Sequence, residues 1–412
     1  MKVTGVTTTV LSIPNSEPYY YSQGCSLGTN SVLVEVQTDE GITGIGEACG
    51  DRSCEAVVGV VRAAARALEG QDPFDIERFL HRFYRLGKWD DMRRFANQAL
   101  AGVEMALWDI VGKACGQPVH RLLGGAFNER LSFFAFLQGA EPEKLADDAR
   151  MWRERDFEYI YLKVGMGLQR DRACVQAVRE AIGDGAKIRI DANMAWSVGE
   201  AIQALQALEP FQIDFAEQPV HWTDLNGMAR IRAAVPIPLA VDQGCFTEHE
   251  ALAVIEQRAA DIITVGLHET GGILGMKKVA AVASAGGLPI CRHGVMGETG
   301  ITTLASLQVL ATIPNEAGGH QVMHQLLEED IVADGLLEFD AGYLTVPERP
   351  GLGVELDALQ GGALRPPVHR QRAFSHHLKR GGSGGVREGG YREGVKVYQE
   401  RMRDGIPPPP GR

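Results

Sequence analysis

Tyr159-Ile160-Tyr161-Leu162-Lys163 reads as a short apolar strand that ends on a lysine, and the same pattern recurs down the chain. Ile188 to Ile190 runs into Asp191, Ile213 to Ala216 into Glu217, and Leu239 to Val241 into Asp242. The terminal residues lie 28, 26 and 25 positions apart, and the next steps are 24 to Gly266 and 27 to His293. Each step is long enough for one strand and one helix. Leu131–Phe136, Asp261–Val265 and Leu288–Arg292 complete the strand candidates. Amphipathic stretches over Arg172–Ile182, Gly199–Leu208, Asp224–Val235, Glu248–Arg258 and Ile273–Ala285 fill the intervals. Thr247 and Glu250 form a plausible capping box for the fourth. Seven or eight such units predict a TIM-type barrel. A doubly wound sheet would usually carry a Gly-rich phosphate loop after its first strand, and none is present.

Parallel barrel strands open their C-terminal ends on one face, where this fold keeps its active sites. Asp191, Glu217 and Asp242 should therefore converge. Three unpaired carboxylates would repel one another and raise each other's pKa. A hard dication resolves the conflict, and oxygen-only ligands suit Mg²⁺ better than Zn²⁺. Singly, each acid would more readily be read as a cap or a salt-bridge partner; the joint spacing argues for the metal. Lys163 and His293, at strand ends on the same face, are the candidate acid/base groups.

Outward from the barrel, residues 1–125 form a separate unit. Val3 to Leu11 and Ser31 to Thr38 alternate as strands, Asp39-Glu40-Gly41 turns, and Ile42 to Glu47 returns. Ala101 to Ala114 has helical spacing and stops at Gly116 and Pro118. The barrel is assigned to 126–334, and 335–365 returns to the first unit. Beyond 366, Gly381-Gly382-Ser383-Gly384-Gly385 and a four-proline run give the composition of a disordered tail. From Arg365 onward there are eleven Lys/Arg against four Asp/Glu. The net charge of −12 therefore divides into +7 there and −19 before it. An acidic body argues against nucleic acid as the main ligand. The absence of a signal-like N-terminus and seven scattered cysteines lead us to expect a reduced, cytoplasmic protein. No apolar run reaches membrane-spanning length.

At these residues the chain resembles the enolase superfamily, nearer its mandelate racemase and muconate cycloisomerase branch than enolase itself. The likeness spans roughly residues 1–357. Ala106-Leu107-Trp108-Asp109 with Gly112-Lys113, then Pro118 and Leu122-Leu123-Gly124-Gly125, is similar to that branch's junction signature. Asp191-Ala192-Asn193, Glu217-Gln218-Pro219 and Asp242-Gln243 resemble its three metal-ligand motifs. Gly271-Gly272 and Pro289 to His293 fit its sixth and seventh strands. The resemblance implies a modified (β/α)₇β barrel under an α+β capping domain built from both chain ends. It also implies one Mg²⁺ per subunit, a small carboxylate substrate and a homo-oligomer. Capping loops over Tyr19–Ser22 and Glu47–Ser53 would close the mouth, with Tyr20 and Arg52 among the candidate substrate contacts.

Two departures bear on the chemistry. Many relatives have Lys-x-Lys on the second strand, whereas here Tyr161 replaces the first lysine. Gly266 stands where the mandelate racemase type has an aspartate and the muconate type a lysine. His293 is thus expected to lack its orienting carboxylate. His268, Glu269 and Glu298 are three candidates to replace it, and His320 falls near strand eight, where some relatives carry a glutamate. The implied reaction is removal of the proton next to a carboxylate, with Lys163 as base. A histidine without its aspartate serves better as an acid than as a base. That consideration favours dehydration of a sugar acid over racemisation, epimerisation or cycloisomerisation. A catalytically weak metal-binding scaffold and a metal-dependent hydrolase are the rivals, and solvent-deuterium incorporation separates them.

Overall fold

The computed structural model of the protein describes residues 1–333 and 337–356. Strands β1 (Val3–Tyr21), β2 (Gly24–Thr38) and β3 (Thr43–Cys49) form an antiparallel meander. Val32, Val34 and Val36 on β2 are fully buried, one face of a period-2 strand pressed into the domain core. Helix α1 (Cys54–Leu68) starts at Ser53, whose hydroxyl accepts from Ala56 N. Short α2 (Ile76–His81) follows and passes into a π-helical turn, Arg82–Leu86.

Helix α3 (Arg93–Cys115) then crosses the molecule and ends at Gly116, which adopts the left-handed φ of 62°. It begins eight residues before the expected Ala101. Nearly every residue from Ala96 to Gly112 is buried, because the helix lies between the meander and the barrel. A helix buried all round has no polar stripe to mark its start.

After α4 (Val119–Leu122) and β4 (Arg130–Ser132) the barrel opens with β5 (Phe134–Phe136). The single strand expected over 131–136 is thus divided, since β4 turns outward to pair with a C-terminal strand. The barrel continues through α5 (Pro142–Glu154), β6 (Tyr159–Lys163), α6 (Leu168–Ile182), β7 (Lys187–Asp191) and α7 (Val198–Leu208). Next come β8 (Ile213–Glu217), α8 (Leu225–Ala234), β9 (Leu239–Val241) and α9 (Glu248–Gln257). The last units are β10 (Ile262–Val265), the one-turn α10 (Leu267–Thr270), α11 (Ile273–Ala285), β11 (Ile290–Arg292) and α12 (Gly300–Leu310).

The seven strands β5 to β11 pair in chain order, all parallel. An extended segment closes the gap between β11 and β5. Ala317 N donates to Ile290 O at 2.7 Å, Gln321 N to Arg292 O at 3.0 Å, and Phe134 N to His320 O at 3.1 Å. The fold is a modified (β/α)₇β barrel, with Ile, Leu, Val and Ala packed between its strands and helices. Strand β12 (Tyr343–Thr345) returns antiparallel to β4, and Leu352 N donates to Asp109 Oδ1 on α3 at 3.0 Å. Both ends of the described chain therefore build the capping layer. The basic tail inferred beyond 366 lies outside the described residues. Among the described residues no helix is long and apolar enough to cross a membrane.

Candidate active site

The register of the parallel sheet aligns the polar strand ends. Lys163 is paired with Asp191, and Asp191 with Glu217. Lys163 Nζ lies 2.5 Å from Asp191 Oδ2 and 2.8 Å from Asn193 Oδ1. The Tyr161 hydroxyl donates to Asp191 Oδ2 at 2.7 Å and reaches Glu217 Oε2 at 3.5 Å. Burial, then the charges of Asp191 and Glu217, push the Tyr161 pKa well up, so it remains a neutral donor. Its ring stacks on Phe134 at 4.2 Å.

Glu217 and Asp242 are buried, and Glu217 Oε1 and Asp242 Oδ1 have no hydrogen-bond partner among the described residues. Burial first, then Asp191 and Asp242, raises the Glu217 pKa well above the carboxylate range. Burial likewise raises that of Asp242, with His293 opposing and Glu269 adding to the rise. Orphaned, mutually repelling buried oxygens are what a hard cation would satisfy. Donor atoms of Glu217, Asp242 and His293 lie within 4.8 Å of one another. Asp191, placed with Glu217 and Asp242 by sequence spacing, is instead drawn to Lys163, Tyr161 and, through Oδ1, Asn193 N at 2.6 Å. The donor set fits Mg²⁺ through its carboxylates; a histidine nitrogen is a poorer partner for that ion.

The strand ends are shaped by backbone that few residues adopt. Asn193 (φ 45°) and Met194 (φ 64°), two and three positions past Asp191, and Gln218 (φ 35°), next to Glu217, are left-handed. Gln218 is buried, and its Oε1 accepts from Asp242 N at 2.9 Å and Gly244 N at 3.1 Å. It thereby fixes the strand end that carries Asp242. The Glu-Gln-Pro motif contains this residue, but its role appears only with the fold. Gln243 donates through Nε2 to Asp242 Oδ2.

His293 does not lack a carboxylate. Its Nδ1 lies 2.7 Å from Glu269 Oε1, and Asp242 Oδ1 is farther, at 3.4 Å. The expectation drawn from Gly266 is therefore corrected. Glu269 sits on α10, three residues past Gly266, and helical side chains lean toward the N-terminus. Its carboxylate comes back over residue 266, where a Cβ would stand 2.4 Å from Oε2. Burial works against the His293 imidazolium, but Asp242, Glu269 and Glu217 outweigh it and raise the pKa.

The remaining candidates are distributed less evenly. Glu298 is spent on Arg292 Nη2 at 2.7 Å and His268 Nδ1 at 3.3 Å. His268 Nε2 also meets Glu47 O at 2.9 Å. His320 is buried in the barrel wall, with Nε2 3.0 Å from Glu316 Oε2 and Nδ1 accepting from Arg292 N at 3.1 Å. Neither Glu298 nor His320 is free to face a substrate. Tyr20 is partly exposed, and strand alternation turns Tyr19 inward instead. The Tyr19 ring lies 5.9 Å from Lys163 Nζ, and its buried hydroxyl has no partner among the described residues. Arg52 is exposed on the turn after β3, close enough to oppose slightly the rise that burial imposes on the Tyr21 pKa.

Along most of its length the chain is similar to known proteins. A family model described as Mandelate racemase / muconate lactonizing enzyme, N-terminal domain, matches residues 4–124. One described as Enolase C-terminal domain-like matches residues 144–360. The N-succinyl-L-Arg/Lys racemase of Bacillus cereus is 31% identical over 369 residues, covering 87% of this chain and 97% of its own. The solved muconate lactonizing enzyme from Pseudomonas fluorescens, complexed with muconolactone, superposes with a TM-score of 0.82 at 29% identity. It covers 89% of this chain and 99% of its own. The Enterococcus faecalis dipeptide epimerase, complexed with Mg and the dipeptide L-Leu-L-Tyr, gives 0.79 at 29%, covering 86% and 99%. Further relatives include cycloisomerases and an arabinonate dehydratase. With its capping and barrel domains both matched, the chain is an enzyme of the enolase superfamily and belongs to the mandelate racemase/muconate lactonizing enzyme branch.

Proposed function

We propose that the protein removes the proton α to the carboxylate of a small substrate, and that Lys163 and His293 exchange this proton from opposite sides, racemising or epimerising the α-carbon. The observation that carries the reading is the pair itself. Lys163 ends β6 and His293 directly follows β11, and each is held by its own carboxylate, Asp191 at 2.5 Å and Glu269 at 2.7 Å. Glu217 and Asp242, with Asp191 shared between the ion and Lys163, would hold Mg²⁺, whose charge would stabilise the enediolate. Nζ of Lys163, steadied by Asn193 and Tyr161, takes or returns the proton on one face. His293 presents Nε2 to the other, because Nδ1 is turned to Glu269. The unpartnered Tyr19 hydroxyl is available to a substrate oxygen.

Dehydration of a sugar acid is the second reading, favoured by the 30% identity to the arabinonate dehydratase of Saccharolobus solfataricus. In it, His293 Nε2 would protonate the departing β-hydroxyl. The sequence argument that placed this reading first assumed an unsupported histidine, and Glu269 removes that assumption.

Both readings are tested in D₂O with N-acyl amino acids, dipeptides and acid sugars, following α-deuterium, chirality and keto-acid product. Lys163→Met should lose all product. His293→Asn should retain exchange only from the face served by Lys163, with product reduced by about 10² to 10⁴-fold. Retention of full turnover in excess chelator, or absence of exchange with every carboxylate, would sink the proposal.

A further inference from the structure

We infer that Glu269 is the positioning residue of His293, supplying from one helical turn away the carboxylate that strand β10 does not carry, and that Gly266 is a glycine because this carboxylate and the His293 carbonyl oxygen together fill its side-chain space. Four observations converge. Glu269 Oε1 lies 2.7 Å from His293 Nδ1, and both residues are buried. A Cβ on residue 266 would stand 2.4 Å from Glu269 Oε2 and 2.5 Å from His293 O, so no side chain fits there while Glu269 is in place. Gly266 itself has φ −118°, an ordinary extended value, so backbone conformation does not demand glycine; space does. The other candidates are committed elsewhere, His268 to Glu298 and Glu47 O, Glu298 to Arg292.

The turn that carries Glu269 is anchored independently of His293. Asn97 Nδ2 on α3 donates to Glu269 O at 2.6 Å, and the Tyr84 hydroxyl fixes Asn97 at 2.5 Å. Thr270 Oγ1 donates to Gly266 O at 2.9 Å. A carboxylate on a backbone pinned at both ends holds the imidazole in one orientation and keeps a proton on Nδ1, so that Nε2 is the nitrogen that works.

The first test uses the intact protein and needs no substrate. With ¹⁵N-histidine labelling, wild type should show a far-downfield, slowly exchanging imidazole proton that disappears in His293→Asn, which assigns it. Glu269→Ala should lose that resonance. Its absence from wild type, or its persistence in Glu269→Ala, would overturn the assignment. The second test rests on the proposed α-proton chemistry. In D₂O, Glu269→Gln should reduce exchange from the His293 face by about 10² to 10⁴-fold while exchange from the Lys163 face stays near wild type. Equal loss on both faces would show that Glu269 supports the carboxylate cluster instead, and unchanged exchange on both would show that it does nothing for His293. If wild type exchanges no substrate, the functional proposal fails while the resonance still decides the role of Glu269.

Discussion

Single residues at the barrel mouth show how much of the site is set by groups other than the acids and bases. Gln218 is the clearest. It holds a left-handed φ, lies fully buried and accepts from Asp242 N and Gly244 N, while its Nε2 donates to Val220 O at 3.0 Å. Gln218→Leu fills the same space but orphans two buried N–H groups, each costing on the order of 1–3 kcal/mol. The variant should unfold at a lower temperature in chelator, and Mg²⁺ should bind it more weakly by calorimetry, since the backbone of Asp242 is no longer fixed. An unchanged metal-free midpoint would show that the amide is not holding the strand end. Lys163, Asp191, Glu217, Asp242 and His293 could be singled out in sequence, because strand ends one β/α unit apart meet on one face. Glu269 could be named only as one of three, because its reach depends on a one-turn helix bringing position i+3 back over position i. The sequence points to Tyr20, whereas the fold turns Tyr19 inward, since the parity of a strand through a bulged hairpin is not readable from its residues; the register shifts between Pro14 and Tyr19.

At the scale of elements, the junction of α3 with α11 explains a motif whose cause lies elsewhere in the chain. Glu104 on α3 accepts from Ile273 N at 2.7 Å and Leu274 N at 2.9 Å, the first donors of α11. It also accepts from Trp108 Nε1 at 3.0 Å. Gly272, at φ 122°, leaves room for it, as a Cβ would stand 2.1 Å from Glu104 Oε2. The Gly271-Gly272 pair is plain in the sequence, whereas its partner 168 positions earlier is not. Burial prevails over the three donors and raises the Glu104 pKa from 4.5 to about 7. The native state therefore holds this proton more tightly than the unfolded chain. The resulting stability is fully present below about pH 4.5 and is lost as the pH rises through about 7. At roughly 1.4 kcal/mol per pKa unit, the loss is on the order of 3 kcal/mol. Glu104→Gln, which cannot ionise, is less stable at low pH but lacks this slope. Thermal midpoints of wild type and variant should converge between pH 5 and 8; parallel curves would mean that Glu104 stays ionised throughout.

At the scale of the whole molecule, the capping domain touches the loop after nearly every strand that carries chemistry. Ser22 Oγ donates to Ala192 O at 2.9 Å and Gln23 Nε2 to Asn193 O at 3.0 Å, behind Asp191. Arg94 lies between the Trp222 and Phe246 rings, donates to Gln243 O at 2.8 Å and pairs with Glu250, behind Glu217 and Asp242. Glu47, fully buried, accepts from Ser31 Oγ at 2.5 Å, Thr299 N at 2.9 Å and Thr302 Oγ1 at 2.6 Å, while its carbonyl meets His268. A buried carboxylate whose donors come from both domains joins their stabilities, because neither domain can open without stranding it. We therefore expect wild type to unfold in a single calorimetric transition, with calorimetric and van't Hoff enthalpies equal. Glu47→Ala removes an acceptor from several buried donors at once, at a cost on the order of 3 kcal/mol or more. It should lower the midpoint and broaden or split the transition, as the capping domain begins to loosen before the barrel. Near-UV circular dichroism of the barrel tryptophans Trp152, Trp196 and Trp222 and limited proteolysis of the capping segment should then report different midpoints. Two transitions in wild type, or a Glu47→Ala profile that is shifted but equally sharp, would show that the domains are joined mainly by their apolar contact and that the Glu47 network is not what couples them.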